Sequence, residues 1–167
     1  VVVAPQQPAT YSFTNVSYDG QTDRLDMLAE LTTEMKKPAT GTSADAQTML
    51  NMFANENSPF ADGALNISTK QLKNKCYDGG GAAIGTSTFE YYINRLASIS
   101  AISTGTWAPG TAGVSTSGSK AYYFDENGVE YAQLVEKGLM GAIFYYQISE
   151  TYTREGKIGN AVNNTDV

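Results

Sequence analysis

The chain has 167 residues, 11 Lys and Arg against 17 Asp and Glu, and a net charge of −6; 17% of residues are charged and 41% apolar. That length suits one domain with a real core, the acidic balance argues against nucleic acid as the main partner, and no apolar run approaches the roughly 18 residues of a membrane-spanning helix. The absence of His and the single Cys, Cys76, exclude Ser-His-Asp and Cys-His catalysis, His-ligated zinc, Cys-clustered metals and internal disulfides.

Residues 1–10, VVVAPQQPAT, carry two prolines and no charge. They read as a linker or processed leader of extended backbone. Val1 is not a translation start, which leaves room upstream for a signal or a lipid-attachment cysteine. Residues 11–18, YSFTNVSY, alternate polar with aromatic or β-branched side chains, as an extended arm does. Asp19-Gly20 reads as the turn that ends it.

Four helices are expected next. Over 22–37, Leu25, Leu28, Leu31, Thr32 and Met35 share a face, and Pro38 stops the helix. Over 43–55, Ala46, Met49, Leu50 and Phe53 fall at i, i+3, i+4 and i+7. Over 87–103, Ser87 and Glu90 have capping-box spacing ahead of Phe89, Tyr92, Ile93, Leu96 and Ala97. The fourth, over about 128–156, has Asn127 as its cap with Glu130 three residues on. It carries two apolar stripes. One is Ala132, Val135, Leu139, Ala142, Ile143 and Tyr146; the other is Tyr131, Leu134, Gly138, Gly141, Tyr145, Ile148 and Tyr152. Between the third and fourth helices, residues 104–127 read as a long loop rich in Gly, Ser and Thr, with a short strand at 121–124. The expected fold is all-α: a helical bundle over 11–160, with an extended N-terminal arm and a flexible tail at 161–167. Strand is confined to the short pieces near 11–18 and 121–124.

Few residues suggest chemistry. The glycine-rich run 78–87 has Walker spacing from Gly80 to Gly85, but Thr86 stands where a phosphate loop needs Lys, and no buried strand precedes it. Asp125, Asn127 and Glu130 form a calcium candidate around a Gly turn, though a turn and helix cap explains all three, and no cofactor is otherwise expected. The pairs Glu30–Glu34 and Asp23–Asp26 read as a solvated face. Lys73 and Lys75 beside Cys76 could lower its pKa. Trp107 is either the anchor of its loop or a ligand contact. Tyr92 and Tyr146 read as core; Tyr145 and Tyr152 stay open between core and ligand surface. Gly138 and Gly141, with Tyr145 and Tyr152, mark a packing face for something outside the chain's own helices: a C-terminal half, a separate chain or another copy.

YSFTNVSYDGQTDRLDMLAEL, KNKCYD and FDENGVEYAQLVEKGLMGAIFYYQ resemble the domain of unknown function DUF4856 across most of 11–160. The resemblance implies a secreted or lipid-anchored bacterial envelope protein, periplasmic or outer-membrane-anchored. Some members lie near imelysin-like proteins of iron uptake. The family domain continues into further helices with His, Trp and acidic residues, which makes residues 11–160 the N-terminal part of a larger domain. No catalytic residue carries over. The expected function is therefore a non-enzymatic binding or assembly protein, with a link to iron acquisition. The alternatives are a structural subunit of a surface assembly and an imelysin-like peptidase relative, which the missing His disfavours.

Overall fold

The computed structural model describes residues 18–76, 85–103 and 105–149. The arm before Tyr18, most of the glycine-rich run, Tyr152 and the tail lie outside them. The elements are α1 (Asp19–Met35), α2 (Ala46–Ala54), α3 (Gly63–Ile67), α4 (Thr86–Ile102), β1 (Gly113–Ser117), β2 (Lys120–Phe124) and α5 (Tyr131–Tyr146), with 3-10 turns at Lys37–Thr40 and Lys73–Lys75.

The fold is mixed α/β, with about 60% of the described residues helical, and the expected all-α bundle is corrected. The correction comes from the presumed long loop. Val114 and the Ser-Thr-Ser run that follows it lie opposite the Ala-Tyr-Tyr run of β2, side chains that can pair across a hairpin. β1 and β2 pair antiparallel, from Gly113 with Phe124 to Ser117 with Lys120. Gly118 takes φ +61° at the first position of the two-residue connection, the left-handed conformation a type II′ turn places there. The piece at 121–124 is thus a strand as expected, but its partner strand was missed.

The helices arise as amphipathic segments do, with corrected ends. Asp19 and Gly20 open α1 rather than ending a strand, and α1 buries Met27 while leaving Leu25 exposed. Pro38 sits in the 3-10 turn that follows α1. Gly85 precedes α4 with no side-chain cap, so the Ser87–Glu90 box does not form. Glu130, not Asn127, is the residue before α5, again without a side-chain cap. Asp45 is a working cap that was overlooked: its Oδ1 accepts the Thr48 amide at 2.7 Å.

The core lies where α5 packs against α1 and α4, with α2 closing the side formed by α1 and α4. Met27, Leu31 and Met35 of α1 meet Phe89, Ile93 and Leu96 of α4 and Val135 and Leu139 of α5, all fully buried. Phe53 of α2 packs on Phe89 with ring centres 6.1 Å apart. The hairpin rests on the 3-10 turn after α1. Tyr123 pins it to α4: its hydroxyl reaches the carbonyls of Ile99 and Ser103 at 2.8 and 2.6 Å.

Candidate functional site

The Asp125 loop is the first region that the sequence singled out. Asp125 is 1% exposed. Its Oδ1 accepts the amides of Asn127 at 2.9 Å and Val129 at 2.7 Å, and its Oδ2 accepts the Tyr131 hydroxyl at 3.4 Å. The carboxylate is therefore committed inward, folding its own turn about Gly128 (φ +83°) into α5. Asn127 is exposed, while Glu130 faces a different cavity. The three calcium candidates do not converge. Among the described residues, no group of three or more His, Cys, Asp or Glu could hold a metal ion.

Trp107 belongs to the same knot. Its Nε1 donates to the Asp125 carbonyl at 2.8 Å, and its ring packs on Phe124 at 5.9 Å. Of the two expected roles, the geometry fits the anchor. The acidic pairs on α1 also do more than meet solvent. Glu30 accepts the amides of Ala61 and Asp62 at 2.7 and 3.1 Å, and Asp23 accepts the Ser68 hydroxyl at 2.5 Å. Glu34 is buried against Lys37 at 2.6 Å. The lysines near Cys76 point elsewhere: Lys73 pairs with Glu56 at 3.0 Å, and Lys75 lies over the Tyr146 ring at 4.3 Å. Cys76 itself is buried.

The first stripe of α5 is core throughout, with Tyr146 half-buried at its end. The second stripe divides. Tyr131 is covered by Tyr91 and Tyr92, at ring distances of 6.5 and 5.7 Å. From Leu134 onward the stripe lies open: Gly138 is half-buried, Gly141 is exposed, Tyr145 is 52% exposed and Ile148 61%. Phe144, at 55%, widens it. Toward α1, Leu25, Phe144 and Ile148 edge an apolar pocket of about 260 Å³. A Cβ built on Gly141 meets nothing within 4 Å.

A second cavity, of about 460 Å³, opens between the end of α1, strand β2 and the first turns of α5. Its volume is within the range of small-molecule sites. Met35, Ala39, Ala121 and Ala132 give it an apolar floor. Glu136 is its hub, bound by Lys36 at 3.0 Å, Lys137 at 2.9 Å and the Gln133 amide at 3.2 Å. Burial works against the Glu136 charge, but the hydrogen bonds from Lys137 and Lys36 prevail and hold its carboxyl below the usual range. Burial raises Glu130; Lys36 opposes that rise and Glu136 adds to it. The sequence reading missed this cleft. Its trace was the polar run Glu130, Gln133, Glu136 and Lys137 at the start of α5, but nothing in the spacing foretold Lys36 and Lys120 opposite.

Residues 8–167 match the family model described as Domain of unknown function (DUF4856), and the chain belongs to that family. No curated protein and no solved structure matches it. No helix among the described residues is long and apolar enough to cross a membrane.

Proposed function

We propose that the chain is a non-catalytic binding and assembly module of the bacterial cell envelope, and that it assembles by pairing the outer face of α5 with that of a second copy. The envelope location rests on the family resemblance. The assembly role rests on one observation: Leu134, Phe144, Tyr145 and Ile148 remain exposed on one face of a helix whose opposite face is core. An exposed apolar strip of this kind is a common mark of an interaction surface.

The strip suits self-pairing. From Leu134 to Ile148 it spans about 21 Å of helix at 1.5 Å per residue, and Gly141 stands at its midpoint. Antiparallel α5 helices about a two-fold axis would meet at Gly141 and set Leu134 against the other copy's Ile148. The missing side chain there permits a close crossing. Lys137 is the one charge on the strip, and it is salt-bridged to Glu136 of its own helix at 2.9 Å. A two-fold contact of this kind is closed and stops at the dimer. Light scattering behind a sizing column tests the idea. The wild-type chain is expected to pass from monomer to dimer as concentration rises, and Phe144→Glu is expected to stay monomeric. A wild-type monomer at every concentration would sink the proposal. Cell fractionation tests the location, and recovery in the cytosol would count against it.

A further inference from the structure

The cleft beside the hairpin is separate from the α5 strip and has its own electrostatic pattern. Glu136 is fully engaged by Lys36, Lys137 and Gln133. Glu130 is not. Its half-buried carboxyl lines the same cavity, and neither a hydrogen bond nor an ion pair to a described residue meets it. Only the charge of Lys36, itself salt-bridged to Glu136, offsets the burial of this anion, and a partly desolvated anion so placed gains from a cation or donors brought to it. Beside Glu130 the wall is apolar, from Met35 and Ala132, and Tyr122 adds a half-buried ring across the cleft. Lys36 and Lys137 are drawn to Glu136, and Lys120 is an exposed ammonium at the far end of β2.

We propose that this cleft binds a small organic amine in its protonated form, with the ammonium against Glu130 and an apolar body on the Met35–Ala132 floor beside Tyr122. An aromatic or alkyl body would bury its surface there, and the Tyr122 ring can add a cation–π contribution. An acid of the same shape would meet Glu130 as a like charge, while the salt bridges to Glu136 hold the two nearest lysines at that carboxylate.

The groups facing Glu130 fix the pH response. Lys36 comes from α1, Lys120 from β2, and Glu136 and Lys137 from α5. Glu136 stays ionised to lower pH than an ordinary carboxyl. Burial makes Glu130 take up a proton above the ordinary value of 4.5. Amine affinity should therefore fall in mildly acidic solution, while Glu136 still holds its lysines.

The test uses 2-phenylethylamine and 3-phenylpropanoate as probes, followed by amide chemical shifts of the whole chain. The amine is expected to shift Tyr122 and Gln133 saturably, and the acid to bind at least ten-fold more weakly. Glu130→Gln should weaken amine binding about ten-fold, the equivalent of about 1.4 kcal/mol, with the fold intact by circular dichroism. Lys120→Met should leave amine binding unchanged or stronger. If Glu130→Gln fails to fold, the loss of wild-type affinity on acidification carries the test. Equal binding of the acid, an amine affinity that survives both Glu130→Gln and acidification, or no saturable shift with the amine would overturn the proposal. None of these outcomes depends on whether the α5 strip forms dimers.

Discussion

The Asp125 knot and the outer face of α5 sit at opposite ends of one helix and treat misplaced groups in opposite ways. At the knot, polar groups are taken inside, and each finds a partner within the chain: the carboxylate of Asp125, the indole of Trp107 and the hydroxyl of Tyr123. On the outer face, large apolar groups stay exposed. Both regions look functional in sequence, one as an acidic Gly turn and the other as an aromatic stripe. Burial separates them. A buried polar group that is fully paired is spent on the fold, whereas exposed apolar surface is still available for a contact.

Breaking the knot should give the largest effect. Asp125→Ala strands the amides of Asn127 and Val129 and the Tyr131 hydroxyl, and is expected to cost about 3 kcal/mol in urea unfolding. A cost near zero would remove the knot from the comparison. Gly113→Ala comes next. A Cβ there would press on the backbone of residues 105–107, at 2.8 Å from both the Thr106 carbonyl carbon and the Trp107 nitrogen and closer still to the Gly105 oxygen. Backbone cannot swing aside, so about 2 kcal/mol should be lost.

The outer face should respond with the opposite sign. Gly141→Ala enters open space at a helical position, so the monomer should gain about 1 kcal/mol while association weakens. A loss of monomer stability would mean that Gly141 is packed within its own chain. The smallest effect belongs to Glu130→Gln. Burial raises the folded-state pKa of Glu130 above its unfolded value, so its ionisation disfavours the fold. That penalty is absent below the unfolded pKa and grows as pH rises through the folded one. Replacement by Gln should therefore raise the melting temperature at neutral pH and leave it nearly unchanged at pH values below the ordinary carboxyl range. A gain independent of pH would refute the assignment.

Much of the helical layout was legible because period and burial agree: Met49 and Phe53, Phe89, Ile93 and Leu96, and Val135 and Leu139 are core as their spacing implied. The hairpin was not, because Val114 is the only strongly apolar residue of β1, and the consecutive Ser115, Thr116 and Ser117 read equally well as loop. Nor was α3, which has only five residues and is held by the Asp62 side chain accepting the Ala64 amide and by Glu30 from across the fold. Of the named site residues, Gly141 and Tyr145 lie on the exposed strip and Tyr152 is outside the described residues. Asp125 and Trp107 proved to be structural partners of each other. The cleft was illegible because Lys36, Lys120 and Glu130 come from three elements, and one-dimensional spacing holds no record of that meeting.

Trp107 also bears on how folding can be watched. It is the only tryptophan of the chain, and it is held by Phe124 and the Asp125 carbonyl, at most 18 residues away. The hairpin and turn around it close short loops, which is fast and cheap. The α1–α5 contact joins Gln21 to Gln147 across 126 residues and must wait for most of the chain. Indole fluorescence is thus a clock for the local knot alone. In stopped-flow refolding its change should precede the tertiary docking of α1, followed by amide protection of Met27 and Leu31; a single shared rate would show that hairpin and bundle form together.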